Sequence, residues 1–345
     1  MAEIPASSAQ DAELPRFAVT DYRPDGGFEL AGVTMLLSAM AIAGAILGFV
    51  VHLVSQFIYL ILVFPIVIGF LMGWVGNRMI KSGRVRSPLI GGLAGFVGGM
   101  LAMFMMHYFD YHKFKGRLAE NPELVALAHM TPAERREVLR EDLTPQQRAD
   151  LDDALQYAAI DSFPQYMDMQ AKNGVEINHT TSSGKGMNLG YTGSYIYWAV
   201  EILIVAGITF LAVKKAAAEP FCVGCGEWKK PAVLGFFSNG SAAVSAESVK
   251  SGDLNAMRTQ MPVVEPTNLR MTTYTCPTCE GRGEVDVKLD LLTTDGKGNV
   301  SAATKAFSRY PAEAAQPMRS LFSPMPPAAQ TAAEPPTDAP PADSA

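Results

Sequence analysis

Cys222-Val223-Gly224-Cys225 and Cys276-Pro277-Thr278-Cys279 contain all four cysteines of the 345-residue chain, paired as two Cys-x-x-Cys knuckles. Two thiolates at this spacing can close on one metal ion from a single tight turn. Two such knuckles complete a tetrahedral four-sulfur set, the environment that structural zinc prefers. Protein sulfur then fills every position, so the site holds a fold together and leaves no open coordination position for catalysis. Zinc held by Cys222, Cys225, Cys276 and Cys279 is the expected cofactor. A dithiol redox pair is the competing use, but neither pair sits in a βαβ context.

The second knuckle continues as Glu280-Gly281-Arg282-Gly283 and resembles one repeat of the DnaJ-type cysteine-rich domain, Cys-x-x-Cys-x-Gly-x-Gly. The first knuckle, followed by Gly226-Glu227-Trp228, resembles only the beginning of that repeat and is similar to a generic zinc-ribbon knuckle. The family's domain has four repeats and two zinc sites where this chain can build one, and no His-Pro-Asp of a J-domain occurs. The resemblance implies a metal-binding knuckle and not a chaperone.

Fifty residues, 226 to 275, separate the knuckles, which leaves room for a small helix near Ala246 to Met257. After Cys279, Val285, Val287 and Leu289 alternate up to Asp295-Gly296 and Val300, the pattern of a β-hairpin. Residues 216–309 are therefore expected to form a small zinc-ribbon-like β domain. The Pro/Ala-rich stretch 310–345 is expected to be a disordered tail, as is the acidic segment 1–29.

The rest of the chain must anchor this module. No Asp, Glu, Lys or Arg occurs from Leu30 to Asn77, and as one helix that run would be roughly 70 Å long, more than twice the ~30 Å hydrocarbon core of a bilayer. It must therefore cross twice, with the break at Ser55-Gln56. The predicted spans are Ala31 to Val54, Phe57 to Gly76, Ser87 to Tyr108 and Tyr195 to Val213, with Ser87 as N-cap and Pro88 as the first helical residue of the third. This gives three transmembrane helices in 30–108, an external helical domain in 109–193 and a fourth transmembrane helix in 194–215. Within 109–193, Thr131 to Glu134 and Thr144 to Gln147 read as capping boxes that start two helices.

Orientation follows from basic residues beside the spans. Arg78, Lys81, Arg84 and Arg86 lie between spans two and three, and Lys214-Lys215 end span four, so both flanks belong in the cytoplasm and both termini with them. An aromatic belt agrees, with Tyr59, Tyr108, Tyr111, Tyr191, Tyr195, Tyr197 and Trp198 at the outer interface and Trp74 at the inner one. The cysteines then lie in the reducing compartment, where Cys pairs bind metal more often than they cross-link. The expected location is a bacterial inner membrane. In a eukaryote, the Asn178-His179-Thr180 sequon of the external domain would be open to glycosylation.

Glu201 is the one ionisable residue deep in a span, six residues past Tyr195. A carboxylate there costs about 2.5 kcal/mol or more and needs a partner or a proton. His52, Gln56 and His107 are candidates at similar depth, which makes Glu201, His52 and His107 the intramembrane polar candidates. His107, Asp110 and His112 have spacings too loose to argue for a second metal site. Glycines at helical repeat distance, Gly44/Gly48, Gly69/Gly73 and the cluster Gly91, Gly92, Gly95, Gly98 and Gly99, provide faces for close helix packing within the bundle or for homo-oligomerisation.

The fold class expected is a mainly α membrane protein: a four-helix transmembrane bundle in the lipid bilayer, an external helical domain and a small cytosolic zinc-ribbon-like β domain. No nucleophile, base and orienter can be assembled, so the expected function is non-enzymatic, an integral membrane scaffold or adaptor whose zinc module docks a cytosolic protein partner. The alternative is a transport or gating component using Glu201. Nucleic acid is not an expected partner: from Lys214 onward thirteen Lys/Arg face fourteen Asp/Glu, and the basic footprint of such a protein is missing.

Overall fold

A computed structural model describes residues 14–55, 63–131, 133–135, 144–177, 187–237, 242–259, 269–279 and 282–322. The chain divides into two compact units, one of residues 24–219 and one joining residues 1–23 to 220–345. Gln56, Tyr59 and the sequon Asn178-His179-Thr180 lie outside the described residues.

Four helices dominate the first unit: α1 (Leu30–Ser55), α2 (Val63–Ser82), α3 (Pro88–Ala119), and one at the unit's end, Gly190–Ala217. All four are long and apolar enough to cross a membrane. The N-cap expected before α3 is present, with Ser87 Oγ accepting from Ile90 N and Pro88 at the first position. This helix does not stop at Tyr108, the end expected from hydropathy, but runs eleven residues further. Hydropathy marks where apolar residues end; the backbone continues until Asn121, which the following Pro122 disfavours in the α region.

Residues beyond α3 form α4 (Pro122–His129), α5 (Pro145–Ala158) and α6 (Phe163–Asn173). Both capping boxes are formed: Glu134 N donates to Thr131 Oγ1 while Thr131 N donates to Glu134 Oε2, and Thr144 and Gln147 make the same reciprocal pair. A short antiparallel ribbon, β2 (Glu176–Ile177) with β3 (Met187–Asn188), then leads into α7 (Gly190–Ala217).

Packing in the bundle depends on residues without side chains. A Cβ on Gly48 of α1 would lie 2.7 Å from the Ala102 carbonyl oxygen of α3, and one on Gly99 of α3 would lie 2.8 Å from Ala206 Cα of α7. The glycine faces noted in the sequence are thus turned toward helices of the same chain, with Gly44, Gly48, Gly91, Gly95, Gly98 and Gly99 all buried. At the ends of α1 and α2, Arg86 N donates to the Gly27 carbonyl, the Arg86 guanidinium pairs with Asp25, and Lys81 pairs with Glu219 at 2.9 Å.

The second unit is built on a five-stranded antiparallel sheet in the order β1-β9-β8-β7-β6. Its strands are β1 (Thr20–Asp21), β6 (Lys230–Phe237), β7 (Leu269–Thr275), β8 (Val285–Thr294) and β9 (Val300–Tyr310), and a separate pair, β4 (Phe221–Cys222) with β5 (Glu227–Trp228), precedes β6. The predicted hairpin is β8–β9. The helix expected between the knuckles is two, α8 (Ala242–Ser251) and α9 (Leu254–Thr259), broken where Gly252 takes φ +73°. Strand periodicity puts alternate residues on opposite faces. Leu269, Met271, Val285, Val287 and Leu289 bury one face under Val249, Leu254, Met257 and Met318. Asp286, Lys288, Asp290 and Arg270 lie on the other.

This unit exceeds the zinc-ribbon-like domain expected at 216–309, at both ends. Residues 14–23 are not a free tail: Thr20 and Asp21 pair with Arg309 and Ser308, Phe17 N donates to the Gly252 carbonyl, and Leu14, Phe17 and Val19 pack on the core. Residues 310–322 are likewise folded. Tyr310 is buried with its hydroxyl donating to the Val249 carbonyl at 2.6 Å, and Met318 of α10 (Ala315–Phe322) lies in the core. Acidic and Pro/Ala-rich composition described these segments poorly because three apolar side chains at one end and one tyrosine and one methionine at the other suffice to dock them.

Candidate metal centre

Register in β6–β7 brings the two knuckles together. Lys230 pairs with Thr275, so the residues just before β6 lie beside those just after β7, and the fifty-residue gap closes on itself as a strand–helix–helix–strand excursion. The first knuckle is the β4–β5 turn: Gly226, at φ +69°, donates its N–H to the Cys222 carbonyl at 2.9 Å, and Phe221 and Trp228 pack edge to face across it at 5.1 Å. The second lies between β7 and β8, closed by Arg282 N donating to the Cys279 carbonyl at 2.8 Å. A Cβ on Gly283 would sit 3.2 Å from Cys279 Sγ, which gives a steric reason for the last glycine of the Cys-x-x-Cys-x-Gly-x-Gly pattern.

The four Sγ atoms of Cys222, Cys225, Cys276 and Cys279 all lie within 4.8 Å of one another. Cys225 Sγ is 3.0 Å and Cys222 Sγ 3.7 Å from Cys279 Sγ. Sulfurs bound tetrahedrally at about 2.3 Å from one ion would be roughly 3.8 Å apart, so the set fits one ion without rearranging the chain. None forms a disulfide. Burial opposes ionisation of Cys276, but the backbone N–H groups of Cys279 and Thr278 outweigh it and hold its thiol down to about 7, while hydrogen bonds with Cys225, Cys276 and Cys222 push Cys279 up. The lowered thiol is that of the buried cysteine.

A buried ion pair ties both knuckles to the sheet. Lys229, four residues after Cys225, donates from Nζ to Asp286 Oδ2 at 2.7 Å and to the Glu284 carbonyl at 2.9 Å. Arg309 of β9 donates to the other oxygen of Asp286, also at 2.7 Å. Sequence reasoning missed this network. Its signal was faint: a single acid, Asp286, between the core-facing Val285 and Val287.

The three polar candidates lie in the long helices of the first unit, His52 in α1, His107 in α3 and Glu201 in α7. Glu201 is fully buried and accepts at 2.5 Å from the hydroxyl of Tyr197, one turn back on its own helix, a spacing that the sequence displayed. His52 pairs with Asp110 of α3, Nδ1 to Oδ1 at 2.6 Å. His107 packs its ring edge-on to Trp198 at 5.7 Å, and His112 packs against Tyr108. Among the described residues, only the four cysteines form a group able to hold a metal ion.

No protein-family model, no curated protein and no solved structure matches this chain.

Proposed function

We propose that the protein is an integral membrane scaffold or adaptor, in which four spanning helices anchor a zinc-ordered module that docks a soluble protein partner. The observation that carries this reading is the four-sulfur cluster, in which protein atoms supply all four ligands of a tetrahedral ion. Such a closed site stabilises a surface and offers no position to a substrate. Zinc is the ion that thiolate sets of this kind favour in a compartment with reduced thiols.

The membrane reading is supported by the outward side chains of the bundle. Ile42, Ile46, Phe70, Leu93, Val97, Leu203 and Leu211 are exposed, a large apolar surface on a unit whose interior is lined by glycine, alanine and methionine. In water that surface would be a liability, whereas in lipid it is the solvated one. Residues 14–23 and 220–322 fold as one unit, which supports an even number of crossings and termini on one side. The basic residues Arg78, Arg84, Lys214 and Lys215 favour the cytoplasm for that side, in a bacterial inner membrane.

The alternative, a transport or gating component, is favoured by one observation, the fully buried carboxylate of Glu201 in an apolar helix. Co-purification with the full chain separates the two. A soluble protein should be recovered with the parent chain and with Glu201→Gln but not with Cys279→Ser. Recovery undiminished with a metal-free Cys279→Ser chain would refute the docking role of the module.

A further inference from the structure

A cavity of about 300 Å³ opens among α3, α6 and α7, lined by His107, Asp110, Tyr166, Gln170, Tyr197 and Trp198 among others. None of its lining residues is Lys or Arg. Three features bear on what it would hold. Asp110 engages His52 through Oδ1 and brings a carboxylate to the wall. Three aromatic rings, Tyr166, Tyr197 and Trp198, share that wall, with the buried carboxylate of Glu201 behind the Tyr197 hydroxyl. His107 Nε2 is buried with no hydrogen-bond partner among the described residues.

A carboxylate repels anions, and aromatic faces attract cations. With its proton on Nδ1 the His107 ring offers Nε2 as an acceptor, and a buried polar atom left unpaired is costly, so an N–H donor on the ligand satisfies it in that tautomer. We infer that the cavity binds a small protonated primary amine, its ammonium donating to Asp110 and His107 Nε2 and resting against the faces of Tyr166, Tyr197 and Trp198. The volume lies at the lower end of the range for small-molecule sites, which suits an amine of a few heavy atoms or the ethanolamine head of a phospholipid. Quaternary ammonium ions meet the aromatic requirement but have no N–H to donate to the Asp110 carboxylate or to His107. This site does not depend on the metal module, and it stands whether or not the adaptor reading holds.

Isothermal titration of the purified full chain in detergent, in an amine-free buffer, tests it with three probes of similar size: ethylammonium, tetramethylammonium and ethanol. Ethylammonium should bind one per chain, with tetramethylammonium at least tenfold weaker and no detectable ethanol binding. Asp110→Asn should weaken ethylammonium at least tenfold. That variant also alters the partner of His52, so the probe comparison on the parent chain is the decisive arm and needs no substitution. No ethylammonium binding, or equal binding of tetramethylammonium, overturns the inference. Reconstitution in phosphatidylglycerol nanodiscs with or without phosphatidylethanolamine identifies the source: competition by the ethanolamine lipid supports a headgroup, and its absence supports a soluble amine.

Discussion

Lys229 and Asp286 lie 57 residues apart in sequence and 2.7 Å apart in space, with 3% and 0% of their side chains exposed. One follows the first cysteine knuckle and the other follows the second, so their pairing joins the two cysteine turns to the central strand β8. Desolvating both charges is costly, and the arrangement is tolerated because Arg309 and the Glu284 carbonyl satisfy the remaining hydrogen-bonding capacity. Removing one partner strands the other. Asp286→Ala leaves two cations without their shared carboxylate and should destabilise the unit by about 3–5 kcal/mol. Lys229→Met should cost less, since Arg309 still neutralises Asp286. Chemical denaturation of the full chain in detergent, followed by Trp228 fluorescence, measures both; an Asp286→Ala chain no less stable than Lys229→Met contradicts the assignment.

The acid sensitivity of the docked N-terminal segment follows from Asp253. Its carboxylate accepts from Ala256 N at 2.9 Å and from Arg16 at 3.1 Å; the Ala256 N–H and then Arg16, against the opposing effect of desolvation, hold its pKa below the usual carboxylate value. A group whose folded pKa is depressed stabilises the fold above its unfolded pKa, near ~3.9 for Asp, and loses that contribution as pH falls through the folded value. Hydrogen-exchange protection of the Phe17 amide, which donates to Gly252, should be full at neutral pH and should fall in acid below about pH 4. In Asp253→Asn it should be reduced already at neutral pH, with a flatter pH dependence.

Helix contact in the bundle is tested at Gly99. Its Cβ position is 2.8 Å from Ala206 Cα, part of the backbone of α7, which cannot rotate away as a side chain could. Gly99→Val should destabilise the bundle by about 1–3 kcal/mol, seen as a lower melting temperature in detergent. A substitution on the outward apolar surface, such as Leu93→Val, should change it little.

Topology is tested by reporters at three points. Tags at the N-terminus and the C-terminus should report one side of the membrane, and a tag at residue 150 in α5 the other. A tag at residue 150 that reports the same side as both ends would remove the four-crossing arrangement.

How legible this architecture was in the sequence depended on the range of the interactions. Ser87-Pro88, Thr144 with Gln147 and the alternation Val285, Val287, Leu289 are local patterns whose physics is complete within a few residues, and each occurs where it was expected. The four cysteines needed only the premise that paired knuckles meet, and they do. What could not be read was long-range: Leu14 with Asn255, 241 residues apart, His52 with Asp110, and Lys229 with Asp286. In these pairs neither residue has a local pattern that selects its partner. The ends of α3 and of the C-terminal unit were misjudged for a related reason, because hydropathy and composition describe the environment of a segment while capping and docking decide where it stops.

The central claim is that Cys222, Cys225, Cys276 and Cys279 bind one metal ion that orders the unit carrying them. Because that unit includes residues 14–23 and 310–322, the measurement belongs on the full chain. Elemental analysis of the protein purified in detergent should find about one zinc per chain. Cys276→Ser, which removes the buried ligand, should lose the metal together with protection of the β7 and β8 amides, since binding energy at such a site is folding energy. A parent chain without metal whose β7 and β8 amides remain fully protected would contradict the account.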